Sequence, residues 1–103
     1  MRVSPDFHRA VELIGKRWTG AIIWALSERD HYYAELTQVV PGLSDRLLSR
    51  RLRELESEGL VERCVHVGTP PRVSYALTEK GRALRPAIRE LREWARRWNG
   101  SHS

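Results

Sequence analysis

The chain has a single cysteine, Cys64. That excludes an intrachain disulfide framework and a zinc site built on cysteines. No apolar run approaches the ~18–20 residues of a membrane-crossing helix; the longest, Ala21 to Leu26, suits a buried helix. The opening segment Met1-Arg2-Val3-Ser4-Pro5-Asp6 lacks the apolar stretch of a secretory signal. Gly-x-Ser-x-Gly, P-loop and His-Glu-x-x-His motifs are all missing, so no enzyme activity is expected. His8 and Glu12 lie four apart, a spacing that makes a surface contact on a helix. His31, His66 and His102 show no ligand-like spacing, so neither a metal nor a cofactor is expected. No linker, internal repeat or low-complexity stretch interrupts the chain.

What remains is a basic chain of 103 residues, with 18 Lys or Arg against 13 Asp or Glu and a net charge of +5. Its 41% hydrophobic content is enough for a globular fold and too much for a disordered tail. Residues 1–103 are expected to form one small, soluble, cytoplasmic domain.

The apolar periodicity predicts four helices, then a hairpin, then a last helix. Ser4 caps a first helix over about 5–14, Pro5 suits its first turn, and Phe7, Ala10, Val11 and Ile14 form its stripe. A second, about Trp18 to Ser27, carries Ile22, Ile23, Trp24 and Leu26 and is apolar nearly all round, which places it at the centre. Glu28-Arg29-Asp30-His31 reads as a polar connection. A short third helix runs from about Tyr33 to Val40, with Leu36, Val39 and Val40 as its stripe. Pro41-Gly42-Leu43 breaks the pattern. Ser44 then caps a fourth helix ending near Glu58, with Leu48, Leu52 and Leu55 facing the core and Gly59 suited to its end. Leu60 to Val67 and Val73 to Leu77 alternate like strands around the Gly68-Thr69-Pro70-Pro71-Arg72 tip. Thr78 caps a final helix over about 79–98, in which Leu84, Ile88, Leu91, Ala95 and Trp98 recur at heptad-like spacing and Pro86 should introduce a kink.

A short helix, a tight turn and a capped second helix make a helix-turn-helix, here over about 33–58. The hairpin after it, about 60–78, makes a winged helix: mainly α with a small β-hairpin, an α+β fold. The fourth helix fits this reading. Arg46, Arg50 and Arg53 stand four and three residues apart, opposite the leucines, and Ser49 joins that outward face. Glu54, Glu56 and Glu58 come only at its far end. The N-terminal part of a recognition helix enters the major groove, where arginine bonds guanine edges or phosphates. Ser44, Asp45, Arg46, Ser49, Arg50 and Arg53 are therefore expected to face DNA, with Arg46 and Arg50 reading bases. Arg53, and Arg72 beside the stiff Pro-Pro tip, suit phosphate or the minor groove.

Over about Ser4 to Trp98 the chain resembles the HxlR-type regulators, bacterial and archaeal winged-helix transcription factors related to the MarR group. Leu13-Ile14-Gly15-Lys16-Arg17-Trp18 resembles that family's Leu-Ile-Gly-Gly-Lys-Trp. Tyr33-Ala34-Glu35-Leu36 resembles its Phe-x-Glu-Leu. Pro41-Gly42-Leu43-Ser44 with Leu48 and Leu52 resembles its Gly-Ile-Ser and spaced leucines. Gly59-Leu60-Val61-Glu62-Arg63 and Pro70 through Thr78 with Gly81 resemble its wing. The resemblance implies a homodimer built from the first and last helices. The stripes agree, offering Phe7, Val11, Ile14, Leu84, Ile88, Leu91, Trp94 and Trp98 as interface. Such a dimer would bind double-stranded DNA at a pseudo-palindromic operator in the nucleoid, and leaves room for a small-molecule effector of unknown identity. Trp18, Trp24, Trp94 and Trp98 could line a pocket for one near the dimer junction, with core packing the simpler use.

Three positions depart from the family pattern. Ser4 stands where many members carry a cysteine before an early proline, and serine supplies no thiolate for redox sensing. Tyr32 stands where arginine is common, so a phosphate contact there either persists through the phenol hydroxyl or is lost. Lys16 replaces a second glycine and adds a phosphate contact of its own. The rival to DNA reading is a basic amphipathic helix that binds a partner or a membrane surface. Residues 79–98 hold seven Lys or Arg against three Glu, with Trp94 and Trp98 among them.

Overall fold

In the computed structural model, which describes residues 1–99, the element order is α1 (Pro5–Ile14), α2 (Thr19–Glu28), β1 (His31–Tyr32), α3 (Tyr33–Val39), α4 (Asp45–Ser57), β2 (Val61–His66), β3 (Arg72–Leu77), α5 (Glu79–Arg82) and α6 (Arg85–Trp98). His102 lies outside the described residues.

Local chemistry explains most boundaries. Ser4 Oγ accepts from the Phe7 amide at 3.1 Å and Pro5 sits in the first turn of α1. Ser44 Oγ accepts from the Leu47 amide at 3.2 Å to start α4. Gly42, at φ +87°, turns the chain between α3 and α4. A β-carbon there would also press on the Trp18 indole at 3.4 Å, so glycine answers two demands at once.

One core joins these elements. Ile22, Ile23, Leu26, Leu36, Leu48, Leu52, Leu55, Leu60, Val61, Tyr75, Leu77 and Ile88 are buried in a single cluster. α2 is central, as its composition predicts, but not buried all round. Trp24 is exposed on its outer face, where its ring lies 4.1 Å from the Arg92 guanidinium and its Nε1 donates to Glu28. Arg92 also bonds Glu28 at 3.1 Å, tying α2 to α6. Trp94 and Trp98 are exposed as well, so of the four tryptophans only Trp18 packs against the core.

The supposed polar connection before α3 is in part a strand. His31 pairs with Tyr75 and Tyr32 with Ser74, antiparallel, giving a three-stranded sheet of order β1-β3-β2 in place of a lone hairpin. β2 pairs with β3 from Val61↔Leu77 to His66↔Arg72. The strand lasts two residues because α3 begins at once. Glu35 Oε1 accepts from the Tyr32 amide at 2.8 Å and closes the first turn.

The C-terminal segment is two helices and not one kinked helix. α5 stops at Arg82 and α6 starts at Arg85, with Ala83 and Leu84 keeping α-region dihedrals between them. Pro86 falls in the first turn of α6, where its missing amide donor is not needed. α5 is pinned by its own contacts. Thr78 Oγ donates to the Gly59 carbonyl and accepts from the Gly81 amide, and Lys80 Nζ donates to the Glu58 carbonyl.

Ile88, expected at a dimer interface, is only 6% exposed within the single chain. α6 packs on α2 through it. Ile14 and Leu84 are half-buried against the same core. The expected interface residues left on the surface are Phe7, Val11, Leu91, Trp94 and Trp98. α1 contributes no buried residue at all.

Candidate nucleic-acid interface

α4 turns its leucines inward and its arginines outward. Leu48, Leu52 and Leu55 are buried, while Arg46, Arg50 and Arg53 are exposed. Among the described residues none of these three arginines has an ion-pair or hydrogen-bond partner. That distinguishes them from Arg29, Arg51 and Arg92, whose guanidiniums rest on Glu35, Glu54 and Glu28. An unpaired cation on a rigid helix keeps its full charge for an external anion, and displaces only water and counterions on binding one.

The helix is mounted from both sides. Tyr33 Oη donates to the Asp45 carbonyl at 3.0 Å and lies 2.9 Å from Ser49 Oγ. With the phenol proton spent on Asp45, Ser49 is the donor of that second bond. Ser49 is therefore half-buried and engaged, its proton spent on Tyr33 and only its acceptor capacity left for a ligand. Behind the helix, Arg51 Nε donates to the Arg17 carbonyl at 3.0 Å and its guanidinium bonds Glu54 at 3.0 Å. Lys16 Nζ sits 3.5 Å from the same Glu54. The ammonium offered by sequence as a phosphate contact is thus drawn to a carboxylate on α4. Sequence reasoning missed Tyr33 and Arg51. The Arg51–Glu54 spacing of three residues was a visible signal, whereas Tyr33 needed the angle between α3 and α4. Asp45 and Ser44 lie exposed at the N-terminal end of α4, where Ser44 is the cap and the Asp45 carboxylate favours the positive end of the dipole.

The wing brings Arg72 and Tyr32 together. The Arg72 guanidinium lies 3.5 Å from the Tyr32 ring centre, and the His66 ring meets Tyr32 edge-on at 5.4 Å. His66 Nε2 is 2.8 Å from Ser74 Oγ. Cys64 is exposed on β2, opposite Ser74.

Glu35 anchors the start of the helix-turn-helix. Its carboxyl is held down from an ordinary value near 4.5 to about 2, first by the hydrogen bonds from Arg29, then by the Tyr32 amide, with the charges of Arg29 and His31 adding to these. The folded value lies below the unfolded one, so the carboxylate stabilises the fold above about pH 4.5 and loses that contribution as pH falls towards 2. A Glu35→Gln variant should show a flatter stability profile across that window by urea titration. An unchanged profile would remove Glu35 from the acid response.

The family model described as HxlR-like helix-turn-helix matches residues 13–103. The chain belongs to the HxlR family. Two Bacillus subtilis (strain 168) relatives illustrate its place within the HxlR proteins. It is 44% identical over 96 residues to the "uncharacterized HTH-type transcriptional regulator YvaP", covering 93% of this chain and 89% of that one. It is 43% identical over 93 residues to the HTH-type transcriptional regulator YodB, covering 90% and 83%. Among solved structures, the reduced form of YodB from B. subtilis superposes with a TM-score of 0.82 at 40% identity, covering 94% of this chain and 95% of that one. The redox regulator HypR in its reduced form gives 0.87 at 33% identity, with the same coverage. This HxlR protein is therefore a transcriptional regulator with a helix-turn-helix DNA-binding fold, and not an enzyme. Among the described residues no helix is long and apolar enough to cross a membrane, and no group of three or more His, Cys, Asp or Glu could hold a metal ion.

Proposed function

We propose that this regulator reads DNA as a homodimer at a pseudo-palindromic operator, with α4 in the major groove and the wing tip, residues 68–72, on the minor groove or backbone. The observation that carries the reading is the row of arginines, Arg46, Arg50 and Arg53, unpaired among the described residues and set on the exposed face of a braced helix. Arg46 and Arg50 are nearest the N-terminal end of α4, which suits base edges; Arg53 and Arg72 suit phosphate or the minor groove. The dimer reading rests on Phe7 and Val11 of α1 and on Leu91, Trp94 and Trp98 of α6, apolar side chains exposed on the same two helices that carry the predicted stripes. A twofold dimer would set its recognition helices about 34–36 Å apart, one turn of the duplex. The protein would act in the cytoplasm, at the nucleoid.

Selection of bound sites from random duplex DNA, repeated across salt, tests both parts. We expect an inverted repeat with half-sites about one helical turn apart, and affinity falling steeply with salt through counterion release. A single half-site would overturn the dimer. Salt-sensitive binding without any motif would overturn sequence reading, and binding of anionic vesicles by an Arg46→Ala/Arg50→Ala variant would then favour a surface-binding role for α6.

A further inference from the structure

Arg72 differs from the other well-placed arginines in what holds it. Arg29, Arg51, Arg92 and Arg96 rest on carboxylates, which fix the side chain but cancel its charge. Arg72 rests on the ring of Tyr32 at 3.5 Å, a face-contact distance, and has no ion pair among the described residues. An aromatic face orients a guanidinium through its quadrupole and leaves the net charge intact.

The register explains why these two meet. Tyr32 lies opposite Ser74, which lies opposite Cys64, and Arg72 lies opposite His66. Residues 72 and 74 alternate onto the same side of β3, so Tyr32, Ser74, Cys64, Arg72 and His66 share one face of the sheet. Arg72 is the diagonal neighbour of Tyr32, within reach of a long side chain. His66 closes the other edge of the ring and is itself anchored to Ser74 Oγ. The ring is half-buried in this frame, while its backbone amide is fixed by Glu35 at the start of α3. A residue of the helix-turn-helix thus sets the position of a residue of the wing.

We propose that Tyr32 is a positioning residue for DNA binding, its ring serving as the platform that presents the charged Arg72 to the minor groove or its flanking phosphates. The inference rests on the reading of the wing given above. In it the phenol hydroxyl is dispensable and the aromatic face is not.

The test uses the full chain and the operator recovered by selection, with affinity and the base preference at the wing-facing positions both measured. Arg72→Ala should weaken operator binding about tenfold and erase the preference at those positions. Tyr32→Phe should bind within about twofold of the unchanged protein and keep the preference. Tyr32→Leu, which leaves Arg72 charged but without its platform, should erase the preference while keeping part of the affinity, and the Tyr32→Leu/Arg72→Ala double variant should be no weaker than Arg72→Ala alone. Arg72→Lys, which keeps a charge but loses the planar stack, should keep most of the affinity and lose the preference. Thermal unfolding of each variant separates these effects from loss of fold, and should Tyr32→Leu not fold, Tyr32→Met takes its place with the same expected result. A silent Arg72→Ala would overturn the wing reading and the platform with it. An effective Arg72→Ala beside a silent or additive Tyr32→Leu, a preference retained by Arg72→Lys, or a Tyr32→Phe as weak as Tyr32→Leu, would overturn the platform alone.

Discussion

Replacing Arg46 and Arg50 together by alanine should abolish operator recognition while leaving the fold intact. A well-placed bidentate arginine contributes roughly 1–3 kcal/mol of discrimination at one base pair. Two of them give about 2–6 kcal/mol, a loss of about thirtyfold at the low end and over ten-thousandfold at the high end. Among the described residues neither side chain has a hydrogen-bond or ion-pair partner, and both are exposed, so thermal unfolding should be unchanged within about 0.5 kcal/mol. The single Arg50→Ala variant sharpens the test. It should relax preference at one position of each half-site and leave binding to random DNA much less affected. Equal weakening on operator and random duplex would make Arg50 a phosphate contact instead.

The second large effect concerns the fold and leaves every residue of the proposed DNA interface in place. Gly81 is buried in α5, and a β-carbon there would collide with the Leu60 carbonyl and stand 3.1 Å from Leu77 Cδ2. The carbonyl cannot easily retreat, because it accepts the Thr78 amide at 3.0 Å where the wing hands over to α5. Gly81→Ala should therefore cost about 1–3 kcal/mol by overpacking. Against a total of about 5–15 kcal/mol for a domain of this size, that corresponds to a fall of about 5–20 °C in Tm, readable by calorimetry. Gly59→Ala, at φ +76° in open space apart from the Lys80 side chain, bears only the local backbone strain of about 1 kcal/mol. A Gly81→Ala protein as stable as the unchanged one would mean that β3 and α5 can part at Leu60 without loss.

The elements that were legible in sequence are those whose causes are local. Ser4, Ser44 and Thr78 announce helix starts by residue type alone, and all three make the expected cap bonds. Leu48, Leu52 and Leu55 mark a buried face by spacing, and the outward arginines follow by subtraction. What stayed hidden depends on partners far along the chain. Two residues have no period to detect, so β1 exists only because Tyr75 and Ser74, more than 40 positions later, pair with His31 and Tyr32. Trp24 looks like core until Arg92 is seen lying across its outer face. Ile88 fits the exposed stripe of α6 by spacing and is taken instead by the chain's own core. In sequence Pro86 reads as a disruption; that it falls in the first turn of a second helix depends on α5 ending at Arg82, with Thr78 and Lys80 held to Gly59 and Glu58. At the candidate site the same division holds. The arginines were visible from their spacing, while Ser49's bond to Tyr33 and the stacking of Arg72 on Tyr32 are products of tertiary geometry.

The unpaired state of Arg46, Arg50 and Arg53 also bears on how such a protein changes its targets. Because these side chains hold nothing in place, substitutions among them are close to neutral for stability, and lineages can exchange them without compensating changes beneath. On the proposed reading, target choice and foldedness are separately heritable properties of one helix, the first written on its outer face and the second on its inner one. A duplicated copy of this gene could acquire a new operator through two or three surface substitutions while Leu48, Leu52 and Leu55 stay as they are.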